Sequence, residues 1–431
     1  MRGTLRPLTF RLFFWVTVAS AGCSPAALKP RAGSAASSAA ETSTGAADSP
    51  GDGLHPESIV RRTFGALREH DQEMVDKAVD YRLQAAFTHF PAGAPPVHDT
   101  FRLGAEYLYP ASAIKIFASA GLLLWIQEKR KDVASLGTDS EILACPQDGG
   151  RCEVIADKSN RESRTLTVGH VVRKMHLVSD NKAFNTLYDL VGHRELHQRF
   201  WALGYSSLRV HHRMFSKGDA AEQKLTPRFQ LRTRTGELVE VPRRDSDLVL
   251  PATPATGLRV GVAHRAKTGH LLETPMDFSQ KNFVSIADLH RLIVALHRSK
   301  AASDKLLPLD PDLRAFLIDA TTTLPHRSSN PRYSHLRETW GRFKPLCRGL
   351  STLVGAEAIS CANKAGNAYG FLIENTYLRN EATGAALAIT VGMYVNPNGV
   401  INDDEYTYEE EGRPLLAAIG AAAARQYLLG N

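Results

Sequence analysis

Ser112 stands three residues before Lys115, and the two residue types could together carry out nucleophilic catalysis. A spacing of three puts the serine hydroxyl and the lysine amine on one face of a helix, within reach of each other across one turn. A serine hydroxyl is a poor nucleophile at neutral pH, but a partly desolvated lysine with a lowered pKa can remove its proton. The pair therefore predicts a nucleophile beside its base.

The residues after this pair must form the element that positions it. Residues 114–126 are apolar on nearly all sides, which predicts a buried helix whose N-terminus opens onto a cleft. Backbone N–H groups and the positive end of the helix dipole at that terminus could stabilise an oxyanion. The alternative is an ordinary buried helix, because S-x-x-K also occurs by chance.

Two further motifs follow in order along the chain. S-D-N occupies residues 179–181, where three polar residues interrupt an apolar helical pattern, and K-A-G occupies residues 364–366. This order resembles that of the penicillin-recognising serine hydrolases, whose motifs are S-x-x-K, S-D-N and K-T-G. The chain is most similar to the class A β-lactamases, and the resemblance spans about residues 56–428.

The chain offers two candidates for the third motif. Residues 267–269 read K-T-G in full, whereas residues 364–366 have alanine at position 365. In the family this motif lies on a strand that is followed only by strands and a terminal helix, and that order follows Lys364. An amphipathic helix follows Lys267 instead, so we interpret Lys267 as part of a basic surface loop. Alanine at 365 removes a hydroxyl that helps hold the substrate carboxylate in the family.

The resemblance implies a catalytic role for three side chains. Ser112 attacks the carbonyl of a β-lactam or of an acyl-D-Ala-D-Ala-like peptide. Lys115 is the most direct base for this attack, and Ser179 relays a proton towards the leaving nitrogen. These roles require no metal or organic cofactor.

The resemblance also implies a set of groups that bind the substrate. Asn181 holds the substrate amide, and Lys364 holds the substrate carboxylate. Backbone N–H groups of Ser112 and Asn367 form the oxyanion hole, beside Gly366 of the third motif.

One motif of the class A enzymes is missing. They carry E-x-x-L-N, whose glutamate activates the water that releases the acyl-enzyme. The nearest string after Ser179 is EQKLT at residues 222–226, with threonine in place of asparagine. Glu222 is therefore a candidate base, and the alternative is a solvated loop glutamate.

Three functions are compatible with these motifs. The leading one is a serine β-lactamase-like hydrolase, the second is a cell-wall D,D-peptidase or esterase on the same scaffold, and the third is a non-hydrolysing binding or sensing lipoprotein. The formal net charge of +7 could indicate nucleic-acid binding. The basic residues are scattered, however, without an aromatic-studded motif, so we expect no nucleic-acid partner. We expect a monomer acting on a small-molecule or peptidoglycan-like substrate.

The N-terminus predicts export. Residues 1–22 contain three arginines before a short apolar run, which is typical of a signal peptide and is too short to span a bilayer. Small residues precede Cys23, as in a bacterial lipobox, which predicts a lipid on Cys23 and a membrane-anchored protein on the periplasmic side. Serine at the first lipobox position departs from the usual leucine, and the alternative is cleavage near Ala21 and a soluble periplasmic protein. Residues 23–55, rich in Ala, Ser and Gly, are expected to form a flexible tether.

Four further cysteines are an even number in an oxidising compartment, which predicts disulfides. Three pairings are possible. The short insert between Cys145 and Cys152 reads as a tight loop, so we favour that pair, with Cys347 joined to Cys361. The rival interpretation, metal ligation, does not match the spacing of a zinc ribbon.

A second potential metal motif is the histidine pair of residues 193 and 197. His193 and His197 could face each other on a helix, but the H-E-x-x-H order is lacking. We interpret them as paired histidines on a solvated face, and we predict no metal site.

The predicted fold class is α+β over residues 56–431. Strands near residues 81–90 and 101 should pair with the strands after residue 358, giving one antiparallel sheet built from both chain ends. Helices should flank this sheet in a three-layer arrangement, with an all-helical lobe inserted between the chain ends and the site in the cleft between them.

The helical segments and the insertion have predicted bounds. We expect a helix over about residues 56–69 and helices over most of residues 112–204. Residues 205–280 are a long insertion relative to the family pattern. Within it, residues 229–241 should form a hairpin that turns at Thr235-Gly236.

Overall fold

The computed structural model describes residues 58–147, 149–216, 218–298 and 305–430. The predicted signal peptide, Cys23 and the tether lie outside the described residues. No helix among the described residues is long and apolar enough to cross a membrane.

The described residues form an α+β fold. Its helices are α1 (Ile59–Gly65), α2 (Glu69–Asp76), α3 (Lys115–Lys129), α4 (Val168–Val178), α5 (Asn181–Val191), α6 (His193–Ala202), α7 (Ala220–Lys224), α8 (Ile286–His297), α9 (Pro311–Thr322), α10 (Pro345–Leu350) and α11 (Arg413–Ala424). Its strands are β1 (Gln84–Phe90), β2 (Val97–Phe101), β3 (Glu141–Ala144), β4 (Glu153–Val154), β5 (Leu225–Thr226), β6 (Phe229–Arg232), β7 (Leu238–Val241), β8 (Arg244–Asp245), β9 (Arg259–Val260), β10 (Ala263–Arg265), β11 (Leu271–Leu272), β12 (Met276–Asp277), β13 (Ile359–Ala368), β14 (Phe371–Asn380), β15 (Ala386–Tyr394) and β16 (Val400–Ile401).

The main sheet is antiparallel and is built from both chain ends, as predicted. Its strand order is β13-β14-β15-β1-β2, and β1 pairs with β15 so that Phe87 lies opposite Ile389. Nearly every residue of β14 and β15 is buried, because helices cover both faces. Helix α8 packs on one face, and α1, α10 and α11 pack on the other. Strand β13 is an edge strand.

Helix α3 is the centre of the lobe inserted between the chain ends. Every residue from Lys115 to Ile126 is buried, which confirms the buried helix predicted from the apolar run. Helices α5 and α6 pack against it, and α4 and α9 complete its surroundings.

The lobe is not all-helical, contrary to our expectation. A four-stranded sheet of order β4-β3-β6-β7 stands beside the helices. The predicted hairpin forms β6 and β7, and Gly236 takes a positive φ of 90° in its turn. Its strand β6 also pairs with β3, which lies inside the stretch that we expected to be mostly helical. Of the four residues of β3 only Ile142 and Leu143 are buried, and the strand is held by its pairing with β6.

The histidines His193 and His197 are buried, which corrects the prediction of a solvated face. Their exposed fractions are 2% and 0%. The His193 ring bonds Ser246 of the insertion at 2.8 Å, and the backbone N–H of Val210 donates to Nε2 of His197 at 2.8 Å. The insertion covers the helix face that would otherwise be solvated, so these histidines hold the insertion against α6.

Both favoured disulfides form. Cys145 bonds Cys152, and Cys347 bonds Cys361. The second bridge joins α10 to β13, the strand that carries Lys364, whereas the first closes a small surface turn.

Replacing Cys347 and Cys361 together by serine should lower the free energy of unfolding by about 3 kcal/mol, because the bridge closes a loop of 14 residues in the unfolded chain. Urea denaturation of the oxidised proteins measures this difference. The matched double variant of Cys145 and Cys152 should lose somewhat less, since its loop spans seven residues. Equal stability of the wild type and the first variant would contradict the prediction.

Candidate active site

Ser112 lies in a short 3-10 turn, Ala111–Ile114, that leads directly into α3. Ala111 has a left-handed backbone with φ 44°, which costs an alanine about 1–2 kcal/mol. The Ser112 side chain is partly buried, and its hydroxyl makes no hydrogen bond to any described residue. The turn thus presents an unengaged hydroxyl at the start of a buried helix.

The Lys115 amine points at the S-D-N motif. Nζ lies 2.6 Å from the carbonyl oxygen of Ser179, 2.6 Å from Oδ1 of Asn181 and 3.3 Å from Oγ of Ser179. Among the described residues Lys115 makes no hydrogen bond to Ser112, because these three oxygens surround the amine. The two side chains do share the start of α3.

Burial lowers the pKa of Lys115 from its ordinary value to about 7, and the nearby charge of Asp180 opposes the shift. A neutral amine has two N–H groups and one lone pair. The two acceptors at 2.6 Å, on Ser179 and Asn181, use both N–H groups. The lone pair is then left to accept a hydroxyl proton, so Lys115 can serve as a base near neutral pH.

The S-D-N motif forms the break between two helices. Ser179 ends α4 in a left-handed conformation with φ 57°, and Asp180 caps α5 by accepting the N–H of Ala183 at 2.9 Å. The three polar residues therefore interrupt the helical pattern because they make a turn and a cap, which confirms the break predicted from the sequence.

Lys364 lies on β13, and its amine donates to Oγ of Ser179 at 3.1 Å and to the carbonyl oxygen of Ala365 at 2.7 Å. Burial lowers the pKa of Lys364, and the charges of Lys115 and Lys344 add to the effect. Strands and a terminal helix follow β13, as our assignment of the third motif requires. Lys267, by contrast, is exposed in the turn between β10 and β11.

Gly366 is the point where β13 touches the nucleophile turn. A Cβ at this position would overlap the backbone nitrogens of Ser112 and Ala113 and would lie 2.5 Å from the carbonyl oxygen of Pro110. Only glycine allows this approach, which brings the strand carrying Asn367 alongside the Ser112 backbone. An oxyanion hole formed by the N–H groups of Ser112 and Asn367 stays a prediction that this placement supports.

Ser112 lies at the junction of two cavity lobes. The smaller one, here called the cationic lobe, has a volume of about 240 Å³. Its lining includes Ser112, Ser179, Lys364, His176, Arg342 and Arg413. The larger one, here called the aromatic lobe, has a volume of about 630 Å³. Its lining includes Ser112, Asn181, His212, Tyr109, Tyr369, Tyr406 and Tyr408, with Lys267 among the remaining lining residues.

Arg342 and Arg413 were missed by the sequence reasoning. Arg413 donates to Oδ1 of Asn367 at 3.4 Å, and both arginines form ion pairs with Glu409. They add positive charge beside Ala365, where the family's threonine is missing. The sequence holds 52 lysines and arginines, and no spacing distinguishes these two.

Glu222 does not fit the role of deacylation base. Its carboxylate accepts the backbone N–H of Asp219 at 3.0 Å, as the capping partner of α7, and its side chain is exposed. It is not among the residues that line either lobe. The string EQKLT forms the last residues of α7 and the strand β5.

Among the described residues, no group of three or more His, Cys, Asp or Glu side chains lies together as metal ligands would.

Residues 101–309 match a family model described as the β-lactamase enzyme family. This stretch, slightly less than half of the chain, is similar to that family. The match covers the S-x-x-K and S-D-N motifs of this family and ends before β13. The assignment of the family's third motif to Lys364 therefore rests on the strand order and on the hydrogen bond to Ser179.

Several solved structures are similar to this chain. The β-lactamase from Sphaerobacter thermophilus is 13% identical, with 88% of this chain and 100% of that chain covered and a TM-score of 0.47. The chromosome-encoded β-lactamase of Vibrio parahaemolyticus is 12% identical, with 83% and 98% covered and a TM-score of 0.46. A mutant of PBP-A in an acyl-enzyme complex with penicillin G is 15% identical, with 87% and 99% covered and a TM-score of 0.46. No match to a curated protein was found.

Lys115→Ala should slow acylation of Ser112 by two orders of magnitude or more, about 3 kcal/mol of barrier. In the wild type, acylation should weaken as the pH falls below about 7, because protonation of Lys115 fills the lone pair that accepts the proton. The variant should lose this pH limb. Stopped-flow acylation by a penicillin measures both effects, with the exposed Lys131→Ala as control. A variant that keeps the wild-type rate and pH limb would assign the base elsewhere.

Proposed function

We propose that this serine hydrolase opens β-lactam rings through an acyl-enzyme on Ser112. The observation that carries the proposal is the position of the Ser179 hydroxyl, which lies 3.3 Å from the amine of Lys115 and 3.1 Å from that of Lys364 and lines the same cavity as the unengaged Ser112 hydroxyl. Two amines and a second hydroxyl in the cavity that Ser112 lines form a route for moving protons.

Acylation follows from these contacts. The lone pair of neutral Lys115 takes the proton of Ser112 while Oγ bonds to the lactam carbonyl carbon. Ser179 accepts from Lys364, so its own proton is free to pass to the leaving nitrogen as the C–N bond breaks. Lys115, whose Nζ lies 3.3 Å from Oγ of Ser179, then passes to that oxygen the proton that it took from Ser112. The N–H groups of Ser112 and Asn367 would stabilise the developing oxyanion.

The cationic lobe supports binding of the substrate carboxylate. Lys364, Arg342 and Arg413 line it together, and they supply charge where Ala365 supplies no hydroxyl. Glu409 pairs with both arginines in the free protein, so a substrate carboxylate would have to compete with it. We therefore expect a raised Michaelis constant compared with enzymes that have threonine at this position.

A second candidate function is that of a cell-wall D,D-peptidase. Strand β13 is an edge strand that runs past Ser112, and an extended peptide could add to its free edge by main-chain hydrogen bonds. The same Ser112 and Lys115 would then be acylated by an acyl-D-Ala-D-Ala-like peptide.

A time course with a chromogenic cephalosporin, followed by measurement of the intact protein mass, separates these functions. A hydrolase gives continued colour release, and it shows a transient adduct when deacylation is slow. A peptidase gives a lasting adduct with β-lactams together with release of D-alanine from a model peptide. No reaction with either substrate would contradict both functions and leave a binding protein.

We further propose that the protein is a monomeric lipoprotein anchored through Cys23 on the periplasmic side. Small residues before Cys23 and the tether of residues 23–55 support this localisation. In a bacterial host the wild type should partition with membranes and incorporate labelled palmitate, whereas Cys23→Ala should lose the label. An unlabelled and soluble wild type would favour cleavage near Ala21 instead.

A further inference from the structure

Release of the acyl group requires a base that the class A motif does not supply here. Glu222 is exposed and caps α7. Lys115 is already the base of the acylation step, Lys364 donates to Ser179 and Ala365, and the tyrosines Tyr109 and Tyr408 have raised pKa values because of burial. Two histidines line the cavity, one in each lobe: His176 in the cationic lobe and His212 in the aromatic lobe.

His212 is held firmly in one position and one tautomer. Its backbone N–H donates to Oδ1 of Asn282 at 3.0 Å, and its carbonyl oxygen accepts from Nδ2 of the same side chain at 3.0 Å. Asn282 is itself completely buried. The ring nitrogen Nδ1 lies 2.8 Å from the carbonyl oxygen of Arg213. A carbonyl can only accept, so Nδ1 carries the proton and Nε2 of the neutral ring keeps a lone pair.

The Nε2 lone pair of His212 has no hydrogen-bond partner among the described residues. A buried nitrogen without a partner costs about 1–3 kcal/mol, and such a group in a native protein calls for a bound water or a catalytic role. Ser112 and Asn181 line the same lobe as His212. Burial lowers the pKa of His212, and Lys281 lowers it further, against the opposing effect of the hydrogen bond to Arg213. The ring is therefore neutral and able to accept a proton at pH 7.

His176 has a similar hydrogen-bond pattern but a different electrostatic environment. Ser119 donates its proton to the carbonyl oxygen of Ile116 at 2.9 Å, so its oxygen accepts from Nε2 of His176 at 3.0 Å. Nδ1 of His176 is then the unpartnered acceptor. The charges of Lys364, Lys344 and Lys115 add to complete burial in lowering the pKa of His176 far below its usual value. Complete burial and three neighbouring amines both oppose its protonation, so His176 is the poorer base.

We propose that His212 is the general base that releases the acyl group from Ser112. Nε2 of His212 takes a proton from a water molecule while the water oxygen bonds to the ester carbonyl carbon. The tetrahedral intermediate then breaks its bond to Oγ of Ser112, and His212 returns the proton to that oxygen. The free acid leaves, and both residues regain their starting states. This inference rests on the proposed acyl-enzyme.

The test follows the penicilloyl adduct of His212→Gln by intact mass after a single turnover. A general base typically contributes a factor of about 10² to 10⁴, so the adduct should live at least a hundredfold longer than in the wild type. The rate of adduct formation should stay within about twofold, which also shows that the variant is folded. Glu222→Gln is the matched control and should leave the adduct lifetime unchanged.

A second variant separates chemistry from structure. In His212→Gly, added imidazole should shorten the adduct lifetime in proportion to its concentration, because it can occupy the vacated space and accept the proton. A purely structural role would give no such rescue. An adduct lifetime unchanged in His212→Gln, or lengthened only in His176→Gln, would overturn the assignment while leaving the acyl-enzyme intact. Absence of an adduct from the wild type and every variant, without turnover, would overturn the proposed function and this inference together.

Discussion

Replacing Ser112 by alanine is expected to abolish both turnover and covalent labelling by a fluorescent penicillin. The hydroxyl is the only atom removed, and it is the atom that forms the acyl bond. Loss of the nucleophile in a comparable serine hydrolase lowers kcat by roughly 10⁶-fold, and a fall of that order is expected here. Stability should change by less than about 0.5 kcal/mol, because the hydroxyl has no hydrogen bond to any described residue.

Labelling on a gel and a thermal melt of the same sample measure the two effects of this substitution. Ser119→Ala, seven residues further along and buried in α3, serves as the serine control and should keep its label. Labelling that survives in Ser112→Ala would place the nucleophile elsewhere. A large loss of stability would show that the hydroxyl has a structural partner.

Replacing Gly366 by alanine should lower the rate of acylation by about 10³-fold. The new Cβ would overlap the backbone nitrogens of Ser112 and Ala113, so β13 must move away from the nucleophile turn. A misplacement of about 1 Å costs on the order of 10²-fold in rate. Loss of one oxyanion donor costs about 10²- to 10³-fold, and the same movement would displace Asn367.

Single-turnover acylation by penicillin measures the effect of Gly366→Ala. Gly65→Ala is the control, because a Cβ at the end of α1 meets no atom within 4 Å. Acylation within tenfold of the wild type would mean that β13 and the turn can separate without loss. Because the side chains of Ser112, Lys115 and Ser179 are all retained, a strong effect would be assigned to the placement of the strand.

The sequence predicted the parts of the site that are encoded by local pattern. The S-D-N break was visible because three polar residues interrupt an amphipathic repeat, and they proved to be a left-handed end and a helix cap. The sheet was predicted from strand patterns near both chain ends together with the order of elements in the family that the chain resembles. The choice of Lys364 over Lys267 followed from the order of elements rather than from the motif letters.

The features that the sequence did not predict depend on tertiary packing. Arg342 lies in an irregular 3-10 turn and Arg413 at the start of α11, and only the folded chain brings them beside Ser112. The insertion buries His193 and His197, and no pattern in the sequence around these histidines indicates that burial. The strand β3 was missed because it is four residues long and gains its partner β6 from the distant insertion.

The pairing of β1 with β15 has a consequence for when the enzyme becomes active. Phe87 pairs with Ile389, so nearly the whole chain of the domain lies between these two partners in sequence. Strand β13, which bears Lys364, joins the sheet only through β14 and β15. Contacts of such long range form late in folding, after the entropy of closing a very large loop has been overcome. A chain still being synthesised can bury α3 and build the S-D-N turn, yet it has no strand to place beside Ser112. The nucleophile therefore stays without its second amine until the last quarter of the polypeptide has been made.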